Sequence, residues 1–319
     1  MPLRVLVTGG GGFIGSNLVR GLLARGDTVR VLDNFATSKR KNLEEVRHDI
    51  ELIEGDIRDP SVCRATCQGM EGVLHQAAVG SVPLSIEDPL TSHQVNVDGT
   101  VNMLLAAREM GVRRFLFASS SSVYGDAPER VKIETLPART QSPYAVSKLS
   151  GEAYTLVFSR VYTLETIALR YFNIFGPRQS PDSMYAAVIP KFASCLIEGK
   201  SPTIYGDGGQ TRDFTFVENV VQANLLGLDA PSSACGKAYN IACGATTSLN
   251  ELYRMIQEQI GGRTSQIRPE YAPARKGDVR DSLASIAAAK EALGYVPTID
   301  VNEGIRRTTA WYLAQESSR

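Results

Sequence analysis

Thr8-Gly9-Gly10-Gly11-Gly12-Phe13-Ile14-Gly15 is the stretch that decides the fold. The run before it, Val5-Leu6-Val7, is short and apolar, as a buried strand is. The run after it carries Ile14, Leu18 and Leu22 at helical spacing. Strand, glycine loop and helix thus come in the order of a dinucleotide-binding unit. Gly9 allows a tight turn, Gly12 lets the backbone approach a pyrophosphate, and Gly15 lets helix and strand pack closely. Bare N–H groups and the positive end of the helix dipole then face the phosphates, with Phe13 and Ile14 in the first turn. A glycine-rich loop alone is a weak signal and can be no more than a structural turn. Here a second strand, Thr28 to Leu32, delivers Asp33 about twenty residues past the glycines, as the fingerprint requires.

Asp33 sets the expected cofactor. A carboxylate there accepts hydrogen bonds from the adenosine ribose hydroxyls and repels a 2′-phosphate, which favours NAD over NADP. Lys39, Arg40 and Lys41 lie just beyond and could hold a phosphate, although such a run is more often a solvated loop.

Further apolar runs at 50–54, 73–78, 115–120 and 166–171 alternate with amphipathic stretches. One, around 97–109, carries Val97, Val101, Leu104 and Leu105; another, from Pro143, carries Leu149, Ala153, Leu156 and Val157. The alternation predicts an α/β fold, a Rossmann-type doubly wound parallel sheet with ligands at the carboxyl ends of its strands. Asp56 ends one strand, where adenine would lie. Ala77 and Ala78 end the next, either passing the cofactor backbone or simply packing closely. From Gly176 prolines and glycines cluster. The expected organisation is an NAD-binding domain over 1–175 and a smaller, interleaved C-terminal substrate domain over 176–319. A segment near 215–242 returns to the sheet through Phe216–Val221 and Tyr239–Ala242, and closing helices lie near 285–293 and 301–314.

The 319 residues carry 34 basic and 34 acidic side chains, so no charge excess points to nucleic acid or an anionic membrane. Apolar residues make up 43%, enough for a full core. No apolar run reaches membrane-spanning length, and the N-terminus enters a strand without a signal-peptide pattern. The five cysteines are scattered, and neither they nor the three histidines complete a metal set. Reduced thiols in a cytoplasmic protein without a metal are expected.

The chemistry is expected in Tyr144-Ala145-Val146-Ser147-Lys148, which puts Tyr144 and Lys148 on one helix face. A free phenol titrates near 10, too high for a base at neutral pH. A lysine ammonium one turn away, with a nicotinamide cation, favours the phenolate. The same lysine can reach the nicotinamide ribose. Ser119-Ser120-Ser121-Ser122-Val123-Tyr124-Gly125 follows the strand Phe115–Ala118, so Ser120 can relay a proton or hold the reacting hydroxyl.

These motifs resemble the extended short-chain dehydrogenase/reductase family, and within it the nucleotide-sugar 4-epimerases. The resemblance rests on TGGGGFIG, HQAA (75–78), SSSSVYG, YAVSK and RYFNIFGPRQ and covers essentially the whole chain. Bacterial UDP-N-acetylglucosamine 4-epimerases look most similar, through GSVPLS (80–85), YAAVIPKF (185–192), YGDGGQTRDF (205–214) and RKGDVRDS (275–282). The resemblance implies that Tyr144, assisted by Ser120, takes the proton of the sugar 4-hydroxyl while hydride passes to NAD. A 4-keto sugar, tethered by its diphosphate, then turns over and is reduced on its other face. It further implies cofactor contacts at Asn34, Ile57, Asn96 and Tyr171. It places substrate contacts at Ser81, Ser121, Ser122, Asn173, Ala187, Val188, Lys191 and Tyr205, and at Arg212, Arg275, Asp278 and Ser282. Arg212 and Arg275 match diphosphate-binding arginines.

Two departures narrow the substrate. Sugar dehydratases and UDP-glucuronate decarboxylases of this family carry an acid just before Val-Tyr-Gly, where this chain has Ser121 and Ser122. UDP-glucuronate epimerases often carry a cation after Gly-Pro-Arg-Gln, where this chain has Ser180. A small Ser282 leaves room for an N-acetyl group, whereas Leu84 stands where close relatives often have arginine. The competing readings are a UDP-glucuronate epimerase or decarboxylase and a non-catalytic NAD-binding scaffold. Helices over 97–109 and 145–158 match those that pair in family dimers, so a homodimer is expected.

Overall fold

A computed structural model describes residues 2–181, 187–274 and 280–317. Seven parallel strands form the main sheet: β1 (Arg4–Thr8), β2 (Thr28–Asp33), β3 (Ile50–Glu54), β4 (Gly72–His75), β5 (Arg114–Ser120), β6 (Glu165–Tyr171) and β7 (Lys237–Ile241). Their order is β7-β6-β5-β4-β1-β2-β3. From β1 the chain winds outward through β2 to β3, then returns to β4 on the other side. The order therefore reverses beside β1, and the glycine loop leaves the sheet at the crevice where such sheets bind ligands.

Alternation along the strands divides the core. Val5 and Val7 of β1 join Leu18 and Leu22 of helix α1 (Phe13–Arg25) on one face. Leu6 faces the other way, with Phe115, Phe117, Met103 and Leu104. All four leucines are fully buried, a gain of about 2 kcal/mol each against exposure. The second face is covered by α2 (Pro60–Cys67), α3 (Gly99–Glu109) and α4 (Pro143–Val161). A further cluster in the second half of the chain joins α5 (Val188–Ile197), α7 (Leu249–Ile260) and α8 (Val301–Ser317), the intervening α6 being Val217–Asp229.

Three expected elements differ. The strand expected over 73–78 stops at His75, where Thr8 Oγ1 accepts the Ala77 N–H at 3.2 Å and turns the chain into a loop. Phe216–Val221 is not a strand of the main sheet. Only Thr215–Phe216 pairs, with Ile174–Phe175, and Val217 begins α6. Val217, Val220 and Ala223 share the inner face of that helix, so the apolar run has helical spacing. The stretch over 97–109 begins with a wider π turn, Gln94–Asp98, which turns Asn96 inward.

Candidate active site

The glycine loop is shaped by contacts that admit no side chain. Gly9 has φ +67°, and a Cβ there would meet Ala77 N at 2.7 Å. A Cβ on Gly15 would meet the Gly9 carbonyl oxygen at 2.2 Å. Gly12 caps α1 without a capping side chain, so the first-turn N–H groups await an acceptor. The Asp33 carboxylate closes the loop. Its Oδ2 accepts from Gly11 N at 2.8 Å, and its Oδ1 from Phe35 N and Ser38 Oγ, each at 2.8 Å. Next to it, Asn34 Nδ2 donates to Asp56 Oδ2 at 2.9 Å. The Arg58 guanidinium beside Asp56 holds its carboxyl down at about 2, so it stays an acceptor. Ile57 is buried behind it. A cradle that excludes Cβ atoms, an uncapped helix start and a carboxylate at the second strand fit an NAD dinucleotide.

Burial and a helix cap set the Tyr144 end of the site. Ser142 Oγ accepts from Ala145 N at 3.1 Å, with Pro143 in the first turn, and so starts α4. Ser85 Oγ accepts the Tyr144 N–H at 3.0 Å, and Asn96 Nδ2 donates to Ser147 Oγ at 2.9 Å, fixing the helix against the loop after β4. Lys148 is buried, its Nζ donating to the Ala118 carbonyl at 2.9 Å. Burial alone depresses its amine to about 8.

In this structure burial and Ser120 set the phenol. Burial pushes Tyr144 up, and a hydrogen bond from Ser120 pulls it partly back. Lys148 Nζ lies 6.0 Å from the Tyr144 ring centroid and 5.2 Å from that of Phe117. Ser120 is itself fixed, its Oγ accepting from Ser122 N at 3.1 Å. Ser122 Oγ is buried with no partner among the described residues, which suits a ligand hydroxyl. Ser121 adjoins it in the same short helical turn. Ser81 caps the helix Val82–Glu87, accepting from Leu84 N at 3.3 Å.

Sequence reasoning missed the network behind this site. Glu152 lies two turns beyond Tyr144 on the same helix face and is buried. It takes both Nε and Nη2 of Arg170, at 3.0 and 2.6 Å, and accepts from Ser119 Oγ at 2.6 Å. Arg170 Nη1 donates on to Tyr124 OH at 2.7 Å. The repeated spacing 144–148–152 is its only signal. His75 is a second case. Burial lowers it to about 3, and its ring links Thr8 Oγ1 (2.7 Å) to Thr100 Oγ1 (3.0 Å), tying β1 and β4 to α3.

Register carries the site toward the second half of the chain. Ser120 pairs with Tyr171, whose hydroxyl accepts from Asn224 Nδ2 at 2.9 Å and Gln76 Nε2 at 3.3 Å. Two residues on, Asn173 has φ +42° and donates to the Asp213 carbonyl at 3.0 Å. It also borders a cavity of about 600 Å³, as do Ala187, Val188, Lys191, Tyr205 and Arg212. Phe175, Phe192 and Phe214 add apolar wall that the sequence does not single out. Ala187 begins α5 without a capping side chain. Ser282 pairs in register with Arg212. The Asp213 carboxylate, pushed up to about 6 by burial, accepts from Cys243 N at 2.9 Å and Gly244 N at 3.0 Å. Arg275 and Asp278 lie outside the described residues, as do Tyr185 and Ala186 of the YAAVIPKF motif. Ala78 sits in the loop after β4, half-buried.

Residues 5–242 match the family described as NAD dependent epimerase/dehydratase. The chain belongs to that family. Its cofactor is NAD. A UDP-glucose 4-epimerase of Mycolicibacterium smegmatis is 37% identical over 314 residues, 97% of this chain and 98% of that protein. A UDP-N-acetylglucosamine 4-epimerase of Methanobrevibacter ruminantium M1, solved with UDP-N-acetylmuramic acid, superposes with a TM-score of 0.93 at 36% identity, covering 98% of this chain and 99% of that one. The UDP-glucose 4-epimerase of Thermus thermophilus, solved with NAD, gives 0.86 at 37% identity with 98% and 99% coverage. Among the described residues no helix is long and apolar enough to cross a membrane.

Proposed function

We propose that the protein is a UDP-hexose 4-epimerase, acting first on the UDP-N-acetylglucosamine/UDP-N-acetylgalactosamine pair and also on UDP-glucose/UDP-galactose. The observation that supports the reading is the register that sets Ser120 beside Tyr171, two residues before Asn173, which borders the larger cavity. The Tyr144–Ser120 pair stands at the ends of β5 and α4, and Asn173 leads from there into a cavity that Arg212 and Lys191 border. A diphosphate between them would find a cation, and a hexose would reach the phenol. Arg275 and Asp278 complete the nucleotide contacts in this proposal.

The chain's own residues divide the work. Ser120 donates to the Tyr144 oxygen and stabilises its phenolate, so Tyr144 can take the proton of the sugar 4-hydroxyl. Lys148 stands buried on the same helix face, an unscreened positive group that further favours phenolate over phenol once a proton is in transit. NAD, when bound, supplies the hydride acceptor and donor. Ser121 and Ser122 offer hydroxyls and no carboxylate, which supports epimerisation over decarboxylation or dehydration. Ser282, beside Arg212, supports room for an N-acetyl group. The NAD half is assigned to 1–175 with 215–242, and the UDP-sugar half to the remainder of 176–319.

Exposed Leu105 on α3, with Val146, Tyr154, Val157 and Val161 on α4, supports a homodimer through these helices. Five free cysteines support a reducing, cytoplasmic setting. The test is incubation with UDP-N-acetylglucosamine, UDP-glucose and UDP-glucuronate separately, followed by chromatography. The expected result is a 4-epimer from the first two. A pentose product or released carbon dioxide from the third, with the others unchanged, would overturn the assignment.

A further inference from the structure

A second cavity, of about 300 Å³, is bordered by α1, the loop after β2, the turn at Arg178–Pro181 and α8. Pro181 and Ser194 border both it and the larger cavity. Its charged lining is mixed: Arg20, Lys39, Lys41 and Arg178 against Glu45, Glu198 and Glu316. Nearly all of these have company. Arg20 pairs with Glu45 at 2.7 Å and donates to the Asn42 carbonyl at 2.8 Å. Lys39 Nζ donates to Ser180 Oγ at 3.1 Å, and Lys41 Nζ to Gln315 Oε1 at 3.4 Å. Glu198 pairs with Lys200 at 2.7 Å.

Arg178 is the exception. Its Nε is buried without a partner, and it forms no ion pair within 4.0 Å among the described residues. An arginine keeps its proton, so a donor of a half-buried guanidinium is withdrawn from water without an acceptor. Burial and repulsion from Arg20 bring Arg178 down to about 10, with the Glu45 carboxylate offsetting only part of this. The next residue repeats the pattern with opposite polarity. Gln179 Nε2 donates to Ile174 O at 3.2 Å and its carbonyl accepts from Tyr312 OH at 2.6 Å, yet its Oε1 is buried and unpartnered. A donor and an acceptor, adjacent in the chain, buried and unpartnered on two residues that border one cavity, ask for a ligand with an oxyanion and a hydrogen-bond donor. Trp311 and Tyr312 supply an aromatic wall for its carbon skeleton.

We propose that this cavity is a second ligand site, separate from the dinucleotide and nucleotide-sugar sites, for a small hydroxylated metabolite bearing a phosphate or carboxylate, held by Arg178 and Gln179. The shared border at Pro181 and Ser194 makes it suited to alter how the larger cavity holds its ligand.

Trp311 is the only tryptophan, so its emission reports on the site. The protein, saturated with NAD and UDP so that other phosphate-binding groups are filled, is titrated with glycerol 3-phosphate, glycerate and glycerol. The expected result is a saturable change with one of the two anions and none with neutral glycerol; which anion works decides between phosphate and carboxylate. Arg178→Gln should weaken that response at least tenfold, and Arg178→Lys, which keeps charge but loses the fork, by less. NAD retention by each variant reports its folding. No saturable change with either anion, or equal responses in wild type and both variants, would overturn the proposal.

Discussion

Replacing Lys148 with methionine should make the protein more stable and almost inactive. The lysine is 5% exposed, and burial lowers its amine from 10.5 to about 8. At about 1.4 kcal/mol per unit, carrying the charge in the folded state costs about 3 kcal/mol at pH 7, where the amine is still protonated. Methionine has similar length and no charge, and gives up the hydrogen bond to the Ala118 carbonyl, about 1 kcal/mol. The net expectation is a gain of about 2 kcal/mol at pH 7. The sign follows from proton binding. The folded-state value is depressed, so between pH 8 and 10.5 the unfolded chain holds more proton and wild-type stability rises with pH across that window. The advantage of Lys148→Met should therefore shrink above pH 8, reach zero near pH 10 and reverse by up to about 1 kcal/mol above pH 10.5, where only the lost hydrogen bond remains. Urea unfolding of both proteins freed of nucleotide, at pH 7 and at pH 10, measures it. Turnover should fall by about 10²–10⁴. A methionine variant less stable at pH 7, or a difference that ignores pH, would refute the reasoning.

Other changes probe separate links. Gly15→Ala places a methyl 2.2 Å from a backbone carbonyl that cannot retreat, so the purified variant should carry little NAD and lose about 1–3 kcal/mol in urea unfolding. Glu152→Ala leaves the Arg170 guanidinium buried without its counter-charge and should cost about 3–5 kcal/mol; adding Arg170→Met should recover part of it in a double-mutant cycle. Ser282→Tyr should abolish turnover of the N-acetylated sugars while sparing UDP-glucose, as read by steady-state kinetics with both. Val157→Arg, with Leu105→Arg, should move the protein to monomer mass on gel filtration if α3 and α4 pair between copies.

The local elements are legible because they are written in short-range patterns. The order strand, glycines, helix and acidic residue can be read from spacing alone, and Gly9 and Gly15 are glycines because backbone atoms stand where a side chain would be. Tyr144 and Lys148 follow from the pitch of a helix. Phe216–Val221 reads as a strand because a short apolar run does not declare its period; the helix emerges only where Val220 and Ala223 have a face of α1 to pack on.

Spacing does not reach what depends on groups far apart in the chain. That Ser120, rather than Lys148, touches the Tyr144 oxygen depends on the register of β5 against α4. That Arg170 meets Glu152, or that Arg178 Nε finds no acceptor among the described residues, depends on which side chains the fold places opposite and which it leaves out. The sequence by itself determined the nucleotide-binding frame and the identity of the phenol and lysine, since both are set by periodicities within a turn or two. Only the tertiary structure decided their protonation, the ion pair behind them and the second cavity, because desolvation and pairing arise between residues that the chain brings together only when it folds.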